Sequence, residues 1–163
     1  SSVVSHVLIH QKPDGGFSWD YAATVGDPHT TLCVLEGLHA FATCVERPSN
    51  YQTVQSAALE YLYAHNLYIN GDKRYTKLAY PYRYRYDLLR FLDYAVDASV
   101  PNNSTIERAL AWLEGKRDGD TWNLELIHPG AVHVAFEQVH ERSRFITLKA
   151  LRVLKHYRLL SGH

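Results

Sequence analysis

The chain has 163 residues, 46% of them hydrophobic, and its 17 basic side chains balance 17 acidic ones. This size suits one domain with a sizeable core, and a net charge of zero provides no overall field that would attract nucleic acid or an anionic membrane. No apolar run approaches the roughly 20 residues of a membrane-spanning helix, and no signal-like segment opens the sequence, so we expect a soluble, cytoplasmic protein.

Helical periodicity and helix breakers predict three helices in the first part of the chain. The first should run from Ser2 to Gln11 and end before the turn at Pro13. Asp27 then suits an N-cap and Pro28 the first helical position, which predicts a second helix ending near Glu46. A third should run from Tyr51 to His65.

The rest of the chain predicts further helices. They span Tyr84 to Asp97, Ser104 to Gly115 and Ser143 to Leu160, and Ser104 with Glu107 has the spacing of a capping box. A short helix is predicted over Ala131 to His140. Because no strand pattern is found, the predicted fold class is all-α.

Three stretches of the chain repeat one plan, in which a helix ends at a polar Gly-rich turn and a second apolar helix follows. The turns span residues 11–17, 65–72 and 116–122. Each following helix carries three apolar residues at a spacing of three, which predicts a stripe on one helical face. The stripes are Leu32, Leu35 and Leu38; Tyr86, Leu89 and Leu92; and Leu148, Leu151 and Leu154. Equivalent stripes indicate about three stacked hairpins in a single helical-repeat domain over residues 1–163.

Three segments carry a resemblance: Gln11 to Phe17, with Asp-Gly-Gly-Phe between two helices, Thr30 to Leu38, and Ser143 to Leu154. Their pattern resembles the αα-toroid superfamily of terpenoid (squalene-type) cyclases and protein prenyltransferase β subunits, and is closest to uncharacterised bacterial cyclase-like members. The resemblance extends over nearly the whole chain and implies an αα-toroid-like half-ring. The lack of any methionine is consistent with a segment of a longer toroid.

A half-ring would leave the apolar faces of its inner helices uncovered. Large exposed apolar patches normally mark an interface. We therefore expect a homodimer, or a complex with a complementary half-toroid.

The catalytic signatures of the superfamily are missing from this sequence. Neither the Asp-x-Asp-Asp cluster of class II cyclases nor the Asp-Asp-x-x-Asp magnesium motif of class I synthases occurs. Neither Cys33 nor Cys44 has an aspartate two residues before it, which the prenyltransferase zinc site requires. The resemblance thus implies a fold without transferable catalytic residues, and no cofactor is expected. The two cysteines lie ~16 Å apart along one predicted helix and cannot bridge each other.

A polar set at the N-terminal ends of the predicted inner helices forms the candidate ligand site. Its members are His29, Thr30, Thr31, Tyr84, Arg85, Asp87, Glu137, Arg144 and Thr147. In a toroid these helix ends gather at one mouth of the central cavity, where helix dipoles and free N–H groups favour an anion. Ordinary capping would explain Thr30 and Thr31 without a further function, and either arginine could pair with Asp87 instead of a ligand.

Two histidine pairs in the sequence are candidate metal ligands. His128 and His133 with Glu137, or His6 with His10, are the candidates, but neither group forms a His-Glu-x-x-His motif. We therefore predict no metal site.

The segment Tyr80 to Tyr86 alternates aromatic and basic residues, which could stack bases and bind phosphates. It is short and lies in an electrically neutral chain, so packing of arginines on tyrosines is favoured and no nucleic-acid partner is predicted.

Three functions remain open. Apolar inner faces with a polar mouth favour a domain that binds a small or lipid-like ligand in a central cavity. An exposed apolar face without a pocket would favour a protein-interaction or dimerisation module. Alternatively, His29, Asp87, Glu137 and Arg144 could serve an enzyme that acts on an isoprenoid or glycan.

Overall fold

A computed structural model describes residues 2–130, 134 and 136–160. This part of the chain holds six α-helices and one two-stranded antiparallel sheet. It divides into two compact units, Ser1–Leu67 and Tyr68–His163. The prediction of a mostly helical protein is confirmed, whereas the prediction that strands are absent is wrong. No helix among the described residues has both the length and the apolar character needed to cross a membrane.

The first unit contains α1 (Ser2–Leu8), α2 (Pro28–Cys44) and α3 (Tyr51–Ala64). The predicted start of α2 is confirmed, since the Asp27 carboxylate accepts the Thr30 N–H at 2.8 Å and Pro28 opens the helix. α2 packs against α3.

α1 ends at Leu8, three residues before the predicted end, because the chain turns toward α3. The Gln11 side chain donates to the Gly15 carbonyl at 2.8 Å and to the Val54 carbonyl at 3.1 Å. Gly15 has φ +88°, and a Cβ there would stand 2.4 Å from the Ala57 carbonyl oxygen. This turn therefore requires glycine both for its backbone conformation and for its close approach to α3.

The second unit contains α4 (Leu88–Asp97), α5 (Ser104–Gly115) and α6 (Arg144–Leu160). Strands β1 (Trp122–Asn123) and β2 (Arg142–Ser143) pair antiparallel, with Trp122 opposite Ser143. α4 packs against both α5 and α6, and its apolar residues form the centre of the core. Leu88, Leu89, Phe91 and Leu92 of this helix are fully buried.

Several predicted bounds need correction. α4 begins at Leu88 and not at Tyr84, because Asp87 is extended and acts as the N-cap. The cap of α5 is Asn103, whose side chain accepts the N–H groups of Thr105 and Ile106 at 2.9 Å, so the predicted capping box from Ser104 is wrong. Of the helix predicted over residues 131–140, positions 134 and 136–140 are bends, turns and irregular backbone. Residues 131–133 and 135 lie outside the described part of the chain.

Two of the three predicted stripes are buried, whereas in the third only Leu154 is buried. Leu32, Leu35 and Leu38 are at most 5% exposed, and Tyr86, Leu89 and Leu92 at most 1%. On α6, however, Leu148 is 67% exposed and Leu151 46% exposed. The buried residues of α6 recur at spacings of three and four along one face: Ile146, Ala150, Val153, Leu154 and Tyr157. That spacing stays on one helical face, whereas a spacing of three drifts by about 60° at every step.

Candidate functional site

The predicted site residues of the first unit secure the loop that precedes α2. The Thr31 hydroxyl, fully buried, accepts the Phe17 N–H at 2.9 Å and lies 2.6 Å from the Asp27 carbonyl, to which it donates. The Thr30 hydroxyl accepts the Trp19 N–H at 3.1 Å and donates to Asp27. Both threonines therefore hold this loop to the start of α2, while the N-cap of the helix is Asp27. His29 lies half-buried beside them.

The predicted site residues at and before the start of α6 also make hydrogen bonds with backbone groups of the protein. Glu137 accepts the Arg144 N–H at 2.8 Å, and the Thr147 hydroxyl accepts the Trp122 N–H at 3.0 Å. The first bond holds the segment before β2, and the second bond holds β1, to the first turn of α6. The side chain of Arg144 is exposed.

Tyr84 and Arg85 lie just before α4. Tyr84 is 62% exposed, and the Arg85 guanidinium carbon lies 5.8 Å from its ring centroid. This agrees with the predicted packing of arginines on tyrosines. The nine predicted site residues thus divide between the two units, and a mouth shared by all of them stays a prediction.

Asp87 is the predicted site residue with the most unusual environment. It is 2% exposed, and one carboxylate oxygen accepts the Arg90 N–H at 2.8 Å as the α4 N-cap. The other oxygen is buried and has no hydrogen-bond partner among the described residues. Burial raises the pKa of Asp87 to about 8, although the nearby Arg90 and Lys149 oppose this change. The carboxyl group therefore holds its proton near neutral pH.

Lys149 and Tyr82 interact electrostatically with Asp87, and ion pairs join α4 to α6. Lys149 pairs with Asp93, and its ammonium lies 5.1 Å from the Tyr82 ring centroid. Arg152 bridges Asp93 and Asp97. The Tyr82 hydroxyl is buried without a hydrogen-bond partner among the described residues, and burial, reinforced by Asp87, raises its pKa.

Sequence reasoning found Asp87 but missed its neighbours. The signal was present in the charge pattern, because Asp93 and Asp97 lie four apart on α4 while Lys149 and Arg152 lie three apart on α6. Such spacings place each pair on one helical face. Pairing the two faces requires knowing that α4 packs against α6.

A separate feature, an apolar groove of about 380 Å³, lies between α1 and α2 in the first unit. Its side chains are aliphatic or aromatic apart from Cys33 and the bare backbone of Gly37. The apolar ones are Val3, Val4, Val7, Val34, Leu38 and Phe41. This cavity was also missed, because the valines of α1 would equally suit an ordinary buried helix face.

A second, more polar cavity of about 470 Å³ adjoins the groove. Val4 and Phe41 line both cavities, so the two lie next to each other. The polar side chains of the second cavity come mainly from the connection between α2 and α3: Glu46, Ser49 and Asn50, with Ser5 from α1.

The predicted histidine pairs meet in the structure only in part. His6 and His10 stack edge to face at 4.7 Å between ring centroids, and His10 also contacts Tyr21 at 4.4 Å. His133 lies outside the described residues. Within residues 2–130, 134 and 136–160, no group of three or more His, Cys, Asp or Glu side chains could hold a metal ion.

No family model, curated protein or solved structure matches this chain.

Proposed function

We propose that this protein binds a small apolar or lipid-like ligand in the groove between α1 and α2. The observation that carries the proposal is the apolar lining of a cavity of about 380 Å³, a volume within the range of small-molecule sites. Each Å² of apolar ligand surface removed from water there contributes ~25 cal/mol.

Gly37 offers a direct way to close the groove. It lines the cavity from α2, and a Cβ added there meets no heavy atom within 4 Å. A leucine at this position would extend into the groove without a backbone clash. It would also favour the helix, since glycine costs roughly 0.5–1 kcal/mol relative to alanine in a helix interior. Lost binding could then not be attributed to a weakened α2.

The test is a titration with N-phenyl-1-naphthylamine, an apolar reporter whose fluorescence rises on leaving water. We expect saturable binding to the native protein and at least about tenfold weaker binding, or 1.4 kcal/mol, to Gly37→Leu. Thr43→Leu is the matched control, because it adds the same side chain at an exposed position of the same helix. Equal affinity of Gly37→Leu and the native protein would contradict the proposal.

We further propose that the helical pairs belong to an αα-toroid-like arrangement. The packing of α2 with α3, and of α4 with α5 and α6, supports it, together with the three repeated turns. A crystal structure of the protein tests this, with α2 and α4 expected as successive inner helices of a ring.

A second candidate function is self-association through α6. Two predicted stripes are buried in the single chain, which removes most of the reason for a homodimer. Leu148 and Leu151 remain exposed on the same helix and supply a smaller apolar surface. Sedimentation velocity of the native protein and of Leu148→Glu tests this. A monomer at every concentration would exclude it.

A further inference from the structure

We infer that residues 72–86, which we call the basic segment, bind single-stranded nucleic acid through their cations and the ring of Tyr84. This inference goes beyond the proposed function, because the apolar groove lies in the first unit and the basic segment in the second. It follows from the distribution of charge along the chain, the exposure of the cations and the packing that brings them together.

Positive charge is concentrated in the basic segment although the whole chain is neutral. The segment holds five of the 17 basic side chains and one of the 17 acidic ones, so the rest of the chain holds twelve basic and sixteen acidic side chains. Asp87, which follows the segment, is buried and adds no exposed negative charge. The neutral total led the sequence analysis to predict no nucleic-acid partner, but it excludes only a field around the whole molecule and not a local one.

Four cations of the basic segment have no carboxylate partner among the described residues: Lys73, Lys77, Arg83 and Arg85. All are exposed except Arg85, which is half-buried. Arg83 donates to the Pro129 carbonyl at 3.2 Å, a neutral acceptor that leaves its charge in place. The fifth cation, Arg74, pairs with Asp72. The segment thus presents four positive charges that the phosphates of a nucleic acid can neutralise.

Packed tyrosines hold the two ends of the basic segment together. Tyr75, from the turn that carries Lys73 and Lys77, contacts Tyr86 at 5.6 Å between ring centroids. Tyr86 is buried and directly follows Arg85. The cations at the two ends therefore lie on neighbouring parts of the surface of the second unit.

Tyr84 presents an aromatic ring to solvent between two of these cations. It is 62% exposed, whereas Tyr80 of the same segment stacks on Phe145 at 4.3 Å between ring centroids. The Arg85 guanidinium lies beside the Tyr84 ring, so a base that stacks on the ring also meets a cation. A polyanion without bases would use only the cations. Tyr84 is also the single exposed large hydrophobic side chain of the segment, which is too little apolar surface for insertion into a membrane.

Solvent screens these exposed cations, so binding should be weak and strongly dependent on salt. Neutralising four phosphates of a single strand predicts a slope of about −3 in a plot of the logarithm of the association constant against the logarithm of the salt concentration. Raising the salt from about 50 mM to about 200 mM should therefore weaken binding about fiftyfold.

The experiment is a fluorescence-anisotropy titration with a labelled oligouridylate of about 15 nucleotides. We expect a dissociation constant of about 100 μM or tighter at about 50 mM salt. Tyr84→Ala should weaken binding at least about fivefold, because a stacked base is lost. Tyr21→Ala is the matched control, since it removes a ring that is 65% exposed in the first unit, and it should keep the native affinity. An oligothymidylate of the same length distinguishes DNA from RNA as the source of the strand.

Lys77→Gln tests the contribution of charge. It removes one of the four cations, so binding at low salt should weaken and the slope should become shallower by about 0.7. Lys155→Gln is the matched control, because it removes the same charge from an exposed position of α6. It should leave the slope unchanged.

Three results would overturn the proposal. One is the absence of measurable binding at low salt, and another is an equal effect of Lys77→Gln and Lys155→Gln on the slope. The third is equal affinity of Tyr84→Ala and the native protein, which would assign no role to the bases. Tighter binding to phosphatidylserine vesicles than to the oligouridylate would assign the segment to a membrane and also overturn it. None of these results affects the groove, which Gly37→Leu tests separately.

Discussion

Replacing Asp87 by asparagine should remove a strong pH dependence from the stability of this protein. The pKa of Asp87 is raised by burial from 3.8 to about 8. Asparagine cannot ionise, yet its side-chain oxygen can still accept the Arg90 N–H, and asparagine caps helices about as well as aspartate. The substitution thus keeps the cap and removes the titration.

The direction of this pH dependence follows from which state of the protein, folded or unfolded, holds the Asp87 proton. Between about pH 4 and pH 8 the folded protein keeps the Asp87 proton, while the unfolded chain releases it. The associated stability is therefore complete below about pH 4 and is lost as the pH rises toward 8. The free energy of unfolding should fall by up to about 1.4 kcal/mol per pH unit, or roughly 5–6 kcal/mol over the whole interval.

Urea denaturation followed by circular dichroism at pH 5, 6.5 and 8 measures this dependence. Asp87→Asn should exceed the stability of the native protein by about 1–2 kcal/mol at pH 5 and by about 5 kcal/mol at pH 8. Asp27→Asn is the matched control, because Asp27 caps α2 with both oxygens hydrogen-bonded to Thr30. This control measures the change in the free energy of unfolding that comes from exchanging a capping carboxylate for an amide.

The same pH dependence of stability in the native protein and in Asp87→Asn would refute this reasoning. If the native protein and Asp87→Asn lose the same stability between pH 5 and pH 8, the buried carboxyl is not the group that titrates. A fall in the stability of Asp87→Asn at every pH would instead show that asparagine does not replace the cap.

Two further substitution pairs test the packing by thermal or urea denaturation. Asp93→Ala should lower the free energy of unfolding by about 1–3 kcal/mol, because it removes the partner of Lys149 and one of the two partners of Arg152 at a position that is only 8% exposed. Asp72→Ala removes an exposed partner of Arg74 and should cost less than about 1 kcal/mol; equal costs would show that burial of the pair is unimportant. Gly15→Ala should cost more than about 2 kcal/mol, since its Cβ would collide with a backbone carbonyl. Gly119→Ala, also at positive φ but in open space, should cost about 1–2 kcal/mol, and a larger loss there than at Gly15 would contradict the collision argument.

The sequence predicted helices best where a cap and a breaker coincide. Asp27 with Pro28 located the start of α2, and the observed bounds of α5 equal the predicted ones. Strands β1 and β2 could not be predicted, because two residues carry no alternation and their pairing depends on how the chain returns to α6. The buried face of α6 was predicted correctly at Leu154 only, because it follows a longer run that begins at Ile146 and ends at Tyr157.

The candidate site was predictable only at individual residues. Asp87 could be identified as a helix-starting carboxylate from its position in the sequence. Its missing second partner and its neighbours across α6 depend on tertiary packing, which leaves no local pattern. The groove depends on α1 lying against α2, and the same valines would suit an ordinary buried face.

Gly37 has a consequence for how this sequence can change over time. Alanine there would strengthen α2 by up to about 1 kcal/mol, and larger residues would meet no backbone obstacle. Selection for stability alone would thus tend to replace the glycine. Selection for an open groove would retain it. Variants recovered from a library under a ligand-binding screen should therefore keep a small residue at position 37. Variants selected only for heat resistance should carry a larger residue there.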